Sequence, residues 1–362
     1  MSTSTSTSTM LDIQCSGTPY EIGHTHGKLA RDKIVRSITF YRQLFQESCS
    51  LSWAEVLQEA STYFQRLKEI APRYLVEISG IADGANIPFL DILALNVRSE
   101  INFGLFSNKT KGAINVPSDG CTSLGWLSKS KSYLGQNWDW RVEQGDNLII
   151  CRIAHPGTDI PDISMVTEAG IIGKIGFNSE GVGCCLNAIR CRGLDRSKLP
   201  VHFALRVVLE SRSRAEAVKM LEHSGVAGGG HILVGDPTGS TGLECTSLWV
   251  KELPMDNQGR VCHTNHLVLD KSDIDEPPWL DDSPIRLARI RELTSQMPDP
   301  SVDTIFEAFK DIQGYPTSIN RKQESNSHTQ TIFNIVMDLT SKKAQVTFGR
   351  PTEYSEQVLL AF

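Results

Sequence analysis

Gly120-Cys121, in the segment PSDGCTS, is the pair of residues with the clearest chemical potential in the sequence. A glycine leaves its carbonyl sterically open and tolerates strained backbone angles, so the thiol of the next residue can attack that carbonyl. The attack forms a thioester by an N-to-S acyl shift, and hydrolysis of the thioester makes Cys121 a new amino terminus. A terminal amine, with a pKa of roughly 8, can then serve as the base for its own side chain. Taken alone, the dipeptide is more typical of an ordinary turn than of self-cleavage.

The remaining cysteines are predicted to pack rather than react. An odd total of nine, the lack of a signal-peptide pattern and the lack of a Cys-x-x-Cys pair disfavour both a disulfide framework and a zinc site. Free cysteine usually behaves as a small buried hydrophobe. We therefore predict a reducing compartment and buried thiols at Cys15, Cys49, Cys151, Cys184, Cys185, Cys191, Cys245 and Cys262.

Two histidine pairs and one glycine run invite metal or phosphate binding, but their contexts disfavour both. His263 and His266, in HTNH, lie in or after a strand and have no third ligand at metal-site spacing. His24 and His26, in GHTHG, are predicted to pack the first helix against its neighbours. The glycine run of GGGHILVGD precedes a strand, whereas a phosphate cradle needs a helix there. We expect no metal, no bound cofactor and no nucleotide cradle.

The elements that must position Cys121 can be recognised from hydrophobic spacing. Residues 20–95, 202–222 and 283–297 carry apolar residues at three- and four-residue intervals, which predicts helices. Short apolar or alternating runs bounded by Gly, Asn, Asp and Pro predict strands, among them TSLGWL, SYLGQNW, NLIICRIAH, DISMVTEAG, GHILVGD, TIFNIVMDL and AQVTFG. This order predicts an α+β fold in which sheets are sandwiched between helices.

Composition and charge exclude several classes of protein. The chain of 362 residues has a formal net charge of −6, so it lacks the basic character of a nucleic-acid-binding protein. No apolar run approaches the roughly 18 residues of a membrane-spanning helix. The opening MSTSTSTSTM has neither the basic start nor the apolar stretch of a signal peptide, and we expect residues 1–9 to form a disordered tail.

Several motifs together resemble the isopenicillin N acyltransferase family of fungi. They are GTPYEIGHTHG, DGCTS, GQNWDW, TEAGIIGKIGFNSEGVG, HTNH and FGRPT, and the similarity runs from about Met10 to Pro351. The resemblance implies an N-terminal nucleophile hydrolase with an αββα fold, made as a precursor that cleaves itself before a cysteine. It further implies one αββα domain overall, split into a helical α subunit or pro-region over residues 10–120 and a β subunit over residues 121–362.

The resemblance also implies roles for individual residues. Cys121 matches the family's nucleophile and Gly120 its cleavage partner, so the cut would fall between them. Asp139, in NWD, matches the aspartate that orients the nucleophile and its amine; without the resemblance, a turn cap would be the simpler interpretation. Asn187, in CLNAI, aligns with an asparagine that donates to the oxyanion in the wider bile-salt and penicillin V hydrolase group.

Three further residues align with positions that support the substrate or the site. Asn265, in HTNH, and Arg286, in SPIRLAR, match polar positions of the wider hydrolase group, and Ser318, in YPTSINR, matches a serine of the penicillin-forming enzymes. By spacing alone, Asn187 and Asn265 are each better explained as residues that form turns. A second serine of those enzymes aligns with Gly229, so its hydroxyl is missing here.

The expected function follows from these matches. We expect an acyltransferase or amide hydrolase that acts through a Cys121 thioester, with acyl-coenzyme A as co-substrate and a small-molecule amine or amide as partner. The alternatives are an amidase or N-acyltransferase for a different fungal secondary metabolite, and a catalytically silent homologue. The two fragments would remain together as a heterodimer, without nucleic acid or membrane. Because the chain ends in LLAF rather than a peroxisomal tripeptide, a cytoplasmic location is expected.

Overall fold

The computed structural model describes residues 10–105, 120–297, 299–325 and 327–362. The predicted tail at residues 1–9 and most of the polar stretch before the cysteine lie outside these ranges. The helices are α1 (Pro19–Cys49), α2 (Trp53–Ile70), α3 (Pro72–Ala85), α4 (Phe89–Asn96), α5 (Val201–Glu210), α6 (Arg214–Ser224), α7 (Ser283–Ser295) and α8 (Val302–Phe309), with a π-helical turn at Glu100–Gly104 and a 3-10 helix at Val142–Asn147.

The strands alternate along the chain with the later helices. They are β1 (Leu11–Ser16), β2 (Thr122–Ser128), β3 (Lys131–Trp140), β4 (Leu148–Ala154), β5 (Ile163–Glu168), β6 (Ile175–Asn178), β7 (Gly183–Ala188), β8 (Gly230–Asp236), β9 (Gly239–Cys245), β10 (Val250–Leu253), β11 (Arg260–His263), β12 (Gln330–Asp338), β13 (Lys343–Phe348) and β14 (Glu356–Ala361).

Two sheets face each other in the middle of the molecule. The larger has the order β1-β4-β5-β6-β7-β8-β9-β10, and the smaller has the order β11-β2-β3-β12-β13-β14. Side chains connect them: the Ser123 hydroxyl of β2 reaches Asn187 of β7, and Gln136 of β3 donates to the Leu186 carbonyl. β2 and β3, which carry Cys121 and Asp139 at one end, therefore lie inside the smaller sheet and against the larger one.

Helices cover the outer faces of both sheets. α1, α5 and α6 contact strands of the larger sheet, while α7 and α8 contact the smaller sheet through a cluster that includes Leu287, Ile290, Phe306 and Phe309. The layers are thus helix, sheet, sheet and helix. This order confirms the predicted α+β sandwich of the αββα type. The arrangement is stable because the helices cover the apolar faces that the two sheets leave uncovered.

α1 and α3 approach unusually closely because glycines line their contact. β-carbons built on Gly23 and Gly27 of α1 would lie 1.9 and 2.1 Å from backbone oxygens of α3, and Gly80 and Gly84 of α3 face α1 in the same way. Each pair has a four-residue spacing, so both glycines of a pair lie on one helix face. The glycines of GHTHG therefore allow this close contact, and His26 between them is buried and accepts a hydrogen bond from the Gly170 amide.

Among the described residues no helix is both long enough and apolar enough to cross a membrane.

Candidate active site

Cys121 immediately precedes β2, and its side chain is fully buried. The Asp139 amide of β3 donates to the Cys121 sulfur at 3.4 Å, and the sulfur lies 3.8 Å from the Asp139 carbonyl oxygen. The thiol is therefore held by the backbone of the neighbouring strand. The antiparallel pairing of Thr122 with Asn137 sets this register and places the predicted nucleophile beside the predicted orienting aspartate.

The Asp139 carboxylate is buried and contacts Thr331 and Arg321. Its Oδ1 accepts a hydrogen bond of 2.6 Å from the Thr331 hydroxyl, and its Oδ2 lies 3.3 Å from Nε of Arg321. Thr331 lies directly opposite Asp139 on β12. β3, β12 and the loop before β12 thus fix the negative charge of Asp139. In the pairing of β2 with β3, Asp139 lies one position beyond the residue opposite Cys121.

The carbonyl oxygen of Cys121 receives two side-chain donors. Nη1 of Arg286 donates to it at 2.7 Å, and Nδ2 of Asn187 donates at 3.2 Å. Nη1 of Arg286 also donates to the Thr122 hydroxyl at 3.1 Å. The structure therefore brings Asn187 and Arg286 to the predicted nucleophile from opposite sides, Asn187 from the larger sheet and Arg286 from α7.

The orientation of the Asn187 amide is fixed by groups that the sequence did not reveal. Its Oδ1 accepts from the Ser123 hydroxyl at 2.6 Å and lies 3.1 Å from Nδ1 of His231. The His231 ring stacks on His263 at 3.7 Å, and His263 lies 2.8 Å from Glu244. Burial lowers the pKa of His231 well below its ordinary value, so its ring is neutral and can donate from Nδ1.

His263 of the HTNH motif therefore packs in this stacked pair. Among residues 10–105, 120–297, 299–325 and 327–362, no group of three or more His, Cys, Asp or Glu side chains is arranged to hold a metal ion.

Asn265 supports Arg286 rather than the cysteine itself. Its Oδ1 accepts from Nη2 of Arg286 at 3.0 Å, its Nδ2 donates to the Ala188 carbonyl at 3.0 Å, and its amide donates to the Ser283 hydroxyl at 2.8 Å. The segment after β11 is thereby joined both to the start of α7 and to the end of β7.

A second arginine, Arg321, completes the charges around the cysteine. Asp282 links the two arginines, because its Oδ2 accepts from Nε of Arg286 at 2.6 Å and also pairs with Nη2 of Arg321. Burial tends to raise the pKa of Asp282, but the two guanidinium groups outweigh that effect and hold its pKa below the ordinary value. Asp282 and Arg321 carry no local motif, so only the fold identifies them.

Two positions matched to functional serines lie in different surroundings. Ser318 is buried, and its hydroxyl donates to the Asn320 carbonyl at 2.9 Å within its own loop. A β-carbon at Gly229 would lie 2.5 Å from the Ile189 carbonyl oxygen and 2.6 Å from the Cys191 sulfur. The place of a side chain at position 229 is therefore already filled.

A nearly closed pocket lies between the sheets beside the site. Its space for a water-sized sphere is only about 10 Å³, and it is lined by Arg98, Ser99, Phe103, Trp138, Leu186, Ala188, Val201 and Gly229. At its edge Glu168 pairs with Arg98 at 2.7 Å and with Lys174 at 2.5 Å. The Lys174 ammonium lies 3.7 Å from the centre of the Trp138 ring, so a buried cation flanks the pocket.

All nine cysteines are buried, as the sequence predicted for the eight outside the dipeptide. Burial raises the pKa of Cys184, Cys191 and Cys262 to about 12, which keeps these thiols protonated and unreactive.

The chain is an αββα sandwich with a buried cysteine immediately before an inner strand. A family model described as acyl-coenzyme A:6-aminopenicillanic acid acyl-transferase matches residues 126–353. The acyl-coenzyme A:6-aminopenicillanic-acid-acyltransferase 40 kDa form of Emericella nidulans is 38% identical over 356 residues, 98% of this chain and 96% of that protein. The chain belongs to this family, and it is an enzyme of the acyltransferase and amide hydrolase kind.

More distant similarities extend beyond fungi. The β-alanyl-dopamine/carcinine hydrolase of Drosophila melanogaster is 25% identical over 228 residues, 58% of this chain and 56% of that protein. Among solved structures, penicillin V acylase from Agrobacterium tumefaciens aligns with a TM-score of 0.47 and 14% identity over 63% of this chain and 83% of its own. A mutant of conjugated bile acid hydrolase from Clostridium perfringens aligns with a TM-score of 0.48 and 15% identity, over 67% of this chain and 92% of its own.

Proposed function

We propose that this chain is a self-processing cysteine N-terminal nucleophile enzyme that makes or breaks amide bonds through a thioester on Cys121. The proposal is carried by the environment of Cys121. Its buried thiol lies against β3, its carbonyl is held by Asn187 and Arg286, and the Asp139 carboxylate is fixed beside it. The membership of the acyltransferase family supports the same chemistry.

Self-processing needs only the chain and water. The Cys121 sulfur bonds to the Gly120 carbonyl carbon, the peptide C–N bond breaks, and the thiol proton passes to the released amine. Water then hydrolyses the thioester, which leaves a carboxylate on Gly120 and a free thiol and amine on Cys121. In this proposal the Asp139 carboxylate accepts a charge-assisted hydrogen bond from the new ammonium group.

The processed enzyme would use the same sulfur on its substrate. The Cys121 thiolate attacks the carbonyl carbon of an acyl donor, the donor's thiol or amine leaves with a proton, and an acyl thioester remains. An amine acceptor or water then takes the acyl group and restores the thiol. In this proposal Asn187 donates from Nδ2 to the tetrahedral oxyanion, a contact worth roughly 3 kcal/mol.

The substrate class that the family membership favours is an acyl-coenzyme A with 6-aminopenicillanic acid, or isopenicillin N as the acyl donor. Acyl-coenzyme A is a co-substrate in this proposal, and no resident cofactor takes part. Penicillin biosynthesis and a cytoplasmic location are parts of the same proposal.

One observation favours a second substrate class, an amide or amine other than the penicillin nucleus. Position 229 has no room for the serine of the penicillin-forming enzymes, because Ile189 and Cys191 fill the space. A Gly229→Ser variant is expected to lose about 1–3 kcal/mol of stability from overpacking. If this variant instead gains penicillin-forming turnover at unchanged stability, the second class loses its support.

The decisive experiment is intact-mass analysis of freshly synthesised wild-type and Cys121→Ala protein. We expect wild type to give fragments of residues 1–120 and 121–362 that co-purify, and the variant to stay intact. Cys262→Ala is the matched control, because it removes another buried thiol and should leave cleavage unchanged. An intact wild-type chain would contradict self-processing and favour a silent homologue. Turnover of acyl-coenzyme A with 6-aminopenicillanic acid, or of isopenicillin N, then distinguishes the substrate classes.

A further inference from the structure

Arg321 lies directly against the residue that precedes the proposed cut. A β-carbon built on Gly120 would lie 2.1 Å from Nε and 2.6 Å from Cζ of the Arg321 guanidinium. Atoms do not approach so closely, so position 120 can carry a side chain only if the guanidinium moves away. Glycine at this position is therefore required by a specific contact as well as by its open carbonyl.

The guanidinium of Arg321 is not free to move. The side chain is 2% exposed, and its Nε lies 3.3 Å from the Asp139 carboxylate. Its Nη2 pairs with Asp282, and its Nη1 lies 3.3 Å from the Ser327 hydroxyl. Displacement would separate the buried Asp139 carboxylate from this guanidinium and leave Asp282 with Arg286 alone, and breaking a buried ion pair is strongly unfavourable.

Asp282 extends the arrangement to the other side of the scissile bond. It also pairs with Arg286, whose Nη1 donates to the Cys121 carbonyl at 2.7 Å. We name Arg321, Asp282 and Arg286 the arginine bracket. The Arg321 guanidinium packs on Gly120, and the Arg286 guanidinium donates to the Cys121 carbonyl. The arginine bracket therefore contacts the residues on both sides of the peptide bond between them.

We propose that Arg321 is a positioning residue for self-cleavage, which holds Gly120 through the arginine bracket and makes glycine obligatory at position 120. This inference rests on the proposed self-processing of the chain. Arg321 does not exchange a proton or form a bond in the reaction; it fixes the carbonyl that the thiol must reach.

Rigid placement matters because the attack joins two adjacent residues of one backbone. The Cys121 sulfur is already held at 3.4 Å from the Asp139 amide, so the carbonyl carbon must be brought to it. A misplacement of about 1 Å can cost roughly 100-fold in rate. Lysine cannot replace the planar fork of arginine, since its single ammonium cannot meet Asp139, Asp282 and Ser327 with separate nitrogens.

The test measures cleavage rates by cell-free synthesis of the full chain, timed quenching and intact-mass analysis. The variants are Gly120→Ala, Arg321→Ala, the double variant and Arg321→Lys. Arg206→Lys is the matched control, because Arg206 is another buried arginine held by two carboxylates, Glu77 and Glu210. Thermal melting in a Cys121→Ala background reports folding separately from cleavage.

We expect Arg321→Ala and Arg321→Lys to cleave at least about tenfold more slowly than wild type, and Arg206→Lys to cleave at the wild-type rate. Gly120→Ala should cost roughly 100-fold in the wild-type background but no more than about threefold in the Arg321→Ala background, since the clashing guanidinium is then absent. A merely structural role of Arg321 would not produce this coupling.

Two results would overturn the inference. One is wild-type cleavage by Arg321→Ala, and the other is an equal cost of Gly120→Ala in both backgrounds. If Arg321→Ala does not fold, the comparison of Arg321→Lys with Arg206→Lys decides alone. An intact wild-type chain is a different outcome, because it removes the proposed self-processing itself, whereas cleavage that ignores Arg321 removes only this inference.

Discussion

Arg206 and Arg321 are both buried arginines with two carboxylate partners, yet their surroundings differ. Arg206 of α5 forms two parallel hydrogen bonds of 2.9 Å with Glu77 and a third of 2.9 Å with Glu210. Its Nη1 also donates a hydrogen bond to the Ile172 carbonyl. Arg321 instead divides its nitrogens between two aspartates and packs on the residue before the proposed cut.

The difference shows that a buried ion pair does not by itself mark a functional site. Arg206 joins α3 to α5, and all three of its partners belong to the scaffold. The partners of Arg321 include Asp139, which lies opposite the reactive backbone. A network of buried charges indicates a functional site when one of its members lies beside a group that can react.

Removal of Arg206 should have the largest effect on stability. Arg206→Ala leaves Glu77 buried without its cation and leaves Glu210 with Arg73, which is expected to cost about 3–5 kcal/mol. Urea unfolding of the Cys121→Ala form measures the loss. The exposed Arg212→Ala is the control and should change stability by no more than about 0.5 kcal/mol. If Arg206→Ala slows cleavage in the fraction of protein that folds, the proposed difference between a scaffold role for Arg206 and a positioning role for Arg321 is contradicted.

Asp139→Asn should have the next largest effect, on cleavage rather than on folding. The amide keeps a partner in Thr331 but loses its charge, and a hydrogen bond to a charged group is worth about 1.5–3 kcal/mol. Cleavage should therefore slow by roughly 10- to 100-fold. Asp338→Asn, a buried carboxyl opposite Tyr133 toward the other end of β3, is the control and should cleave normally. Equal rates for the two variants would contradict the role proposed for Asp139.

Ser123→Ala should have a smaller effect, on turnover by the processed enzyme. The variant loses the 2.6 Å hydrogen bond that orients the Asn187 amide, which is worth about 1 kcal/mol. We expect kcat to fall by about fivefold with little change in KM, because the amide is needed mainly in the transition state. Ser132→Ala is the control, since its hydroxyl has no partner among the residues that the structure describes. A rise in KM alone would point to substrate binding instead.

The smallest predicted effect is the pH dependence that Asp282 contributes. Its folded-state pKa is lowered, so the stabilisation is complete above its unfolded pKa of about 4 and disappears as the pH falls through the lower folded value. The pKa of Glu77 shifts in the opposite direction, because the effect of burial outweighs that of Arg206 and raises this pKa. Melting of the Cys121→Ala form below about pH 4 should thus fall more steeply than melting of the same form with Asp282→Asn. Parallel curves would contradict this assignment.

Local patterns predicted most of the fold. The helical spacing of residues 20–95, 202–222 and 283–297 and the apolar runs at β2 to β9, β12 and β13 correspond to observed elements. Four elements were not predicted: β1, β10, α8 and β14. Each has only four to eight residues, too few to show a clear period, and each depends on a neighbour for its structure. β1, for example, pairs with β4, which is far along the chain.

The candidate site was predictable where a residue carries its own chemistry. Gly120-Cys121 could be recognised from reactivity, and the resemblance supplied Asp139, Asn187, Asn265 and Arg286, which the fold brings to the cysteine or to its neighbours. Their catalytic roles stay predictions, as does the division into α and β subunits.

Arg321 and Asp282 were not predictable from local sequence. They lie in loops 39 residues apart and contact each other. Arg321 also contacts Asp139 of β3, and Asp282 also contacts Arg286 of α7, so only the folded chain connects them to the site. For His263, the sequence disfavoured metal ligation but could not reveal the stacking on His231, which depends on two strands that are not adjacent in sequence.

The pairing of β1 with β4 affects how the mature enzyme could refold. Residues Leu11 to Ser16 run parallel to β4, so a cut after Gly120 would place the two strands in separate polypeptides. In the uncut chain their pairing is a unimolecular step, whereas after the cut it becomes an association that depends on protein concentration. Denatured mature protein should therefore recover its structure less completely on dilution than the uncut Cys121→Ala chain. The order of events in the cell would then be fixed: the chain folds once as a single polypeptide, and the cut makes that folding difficult to repeat.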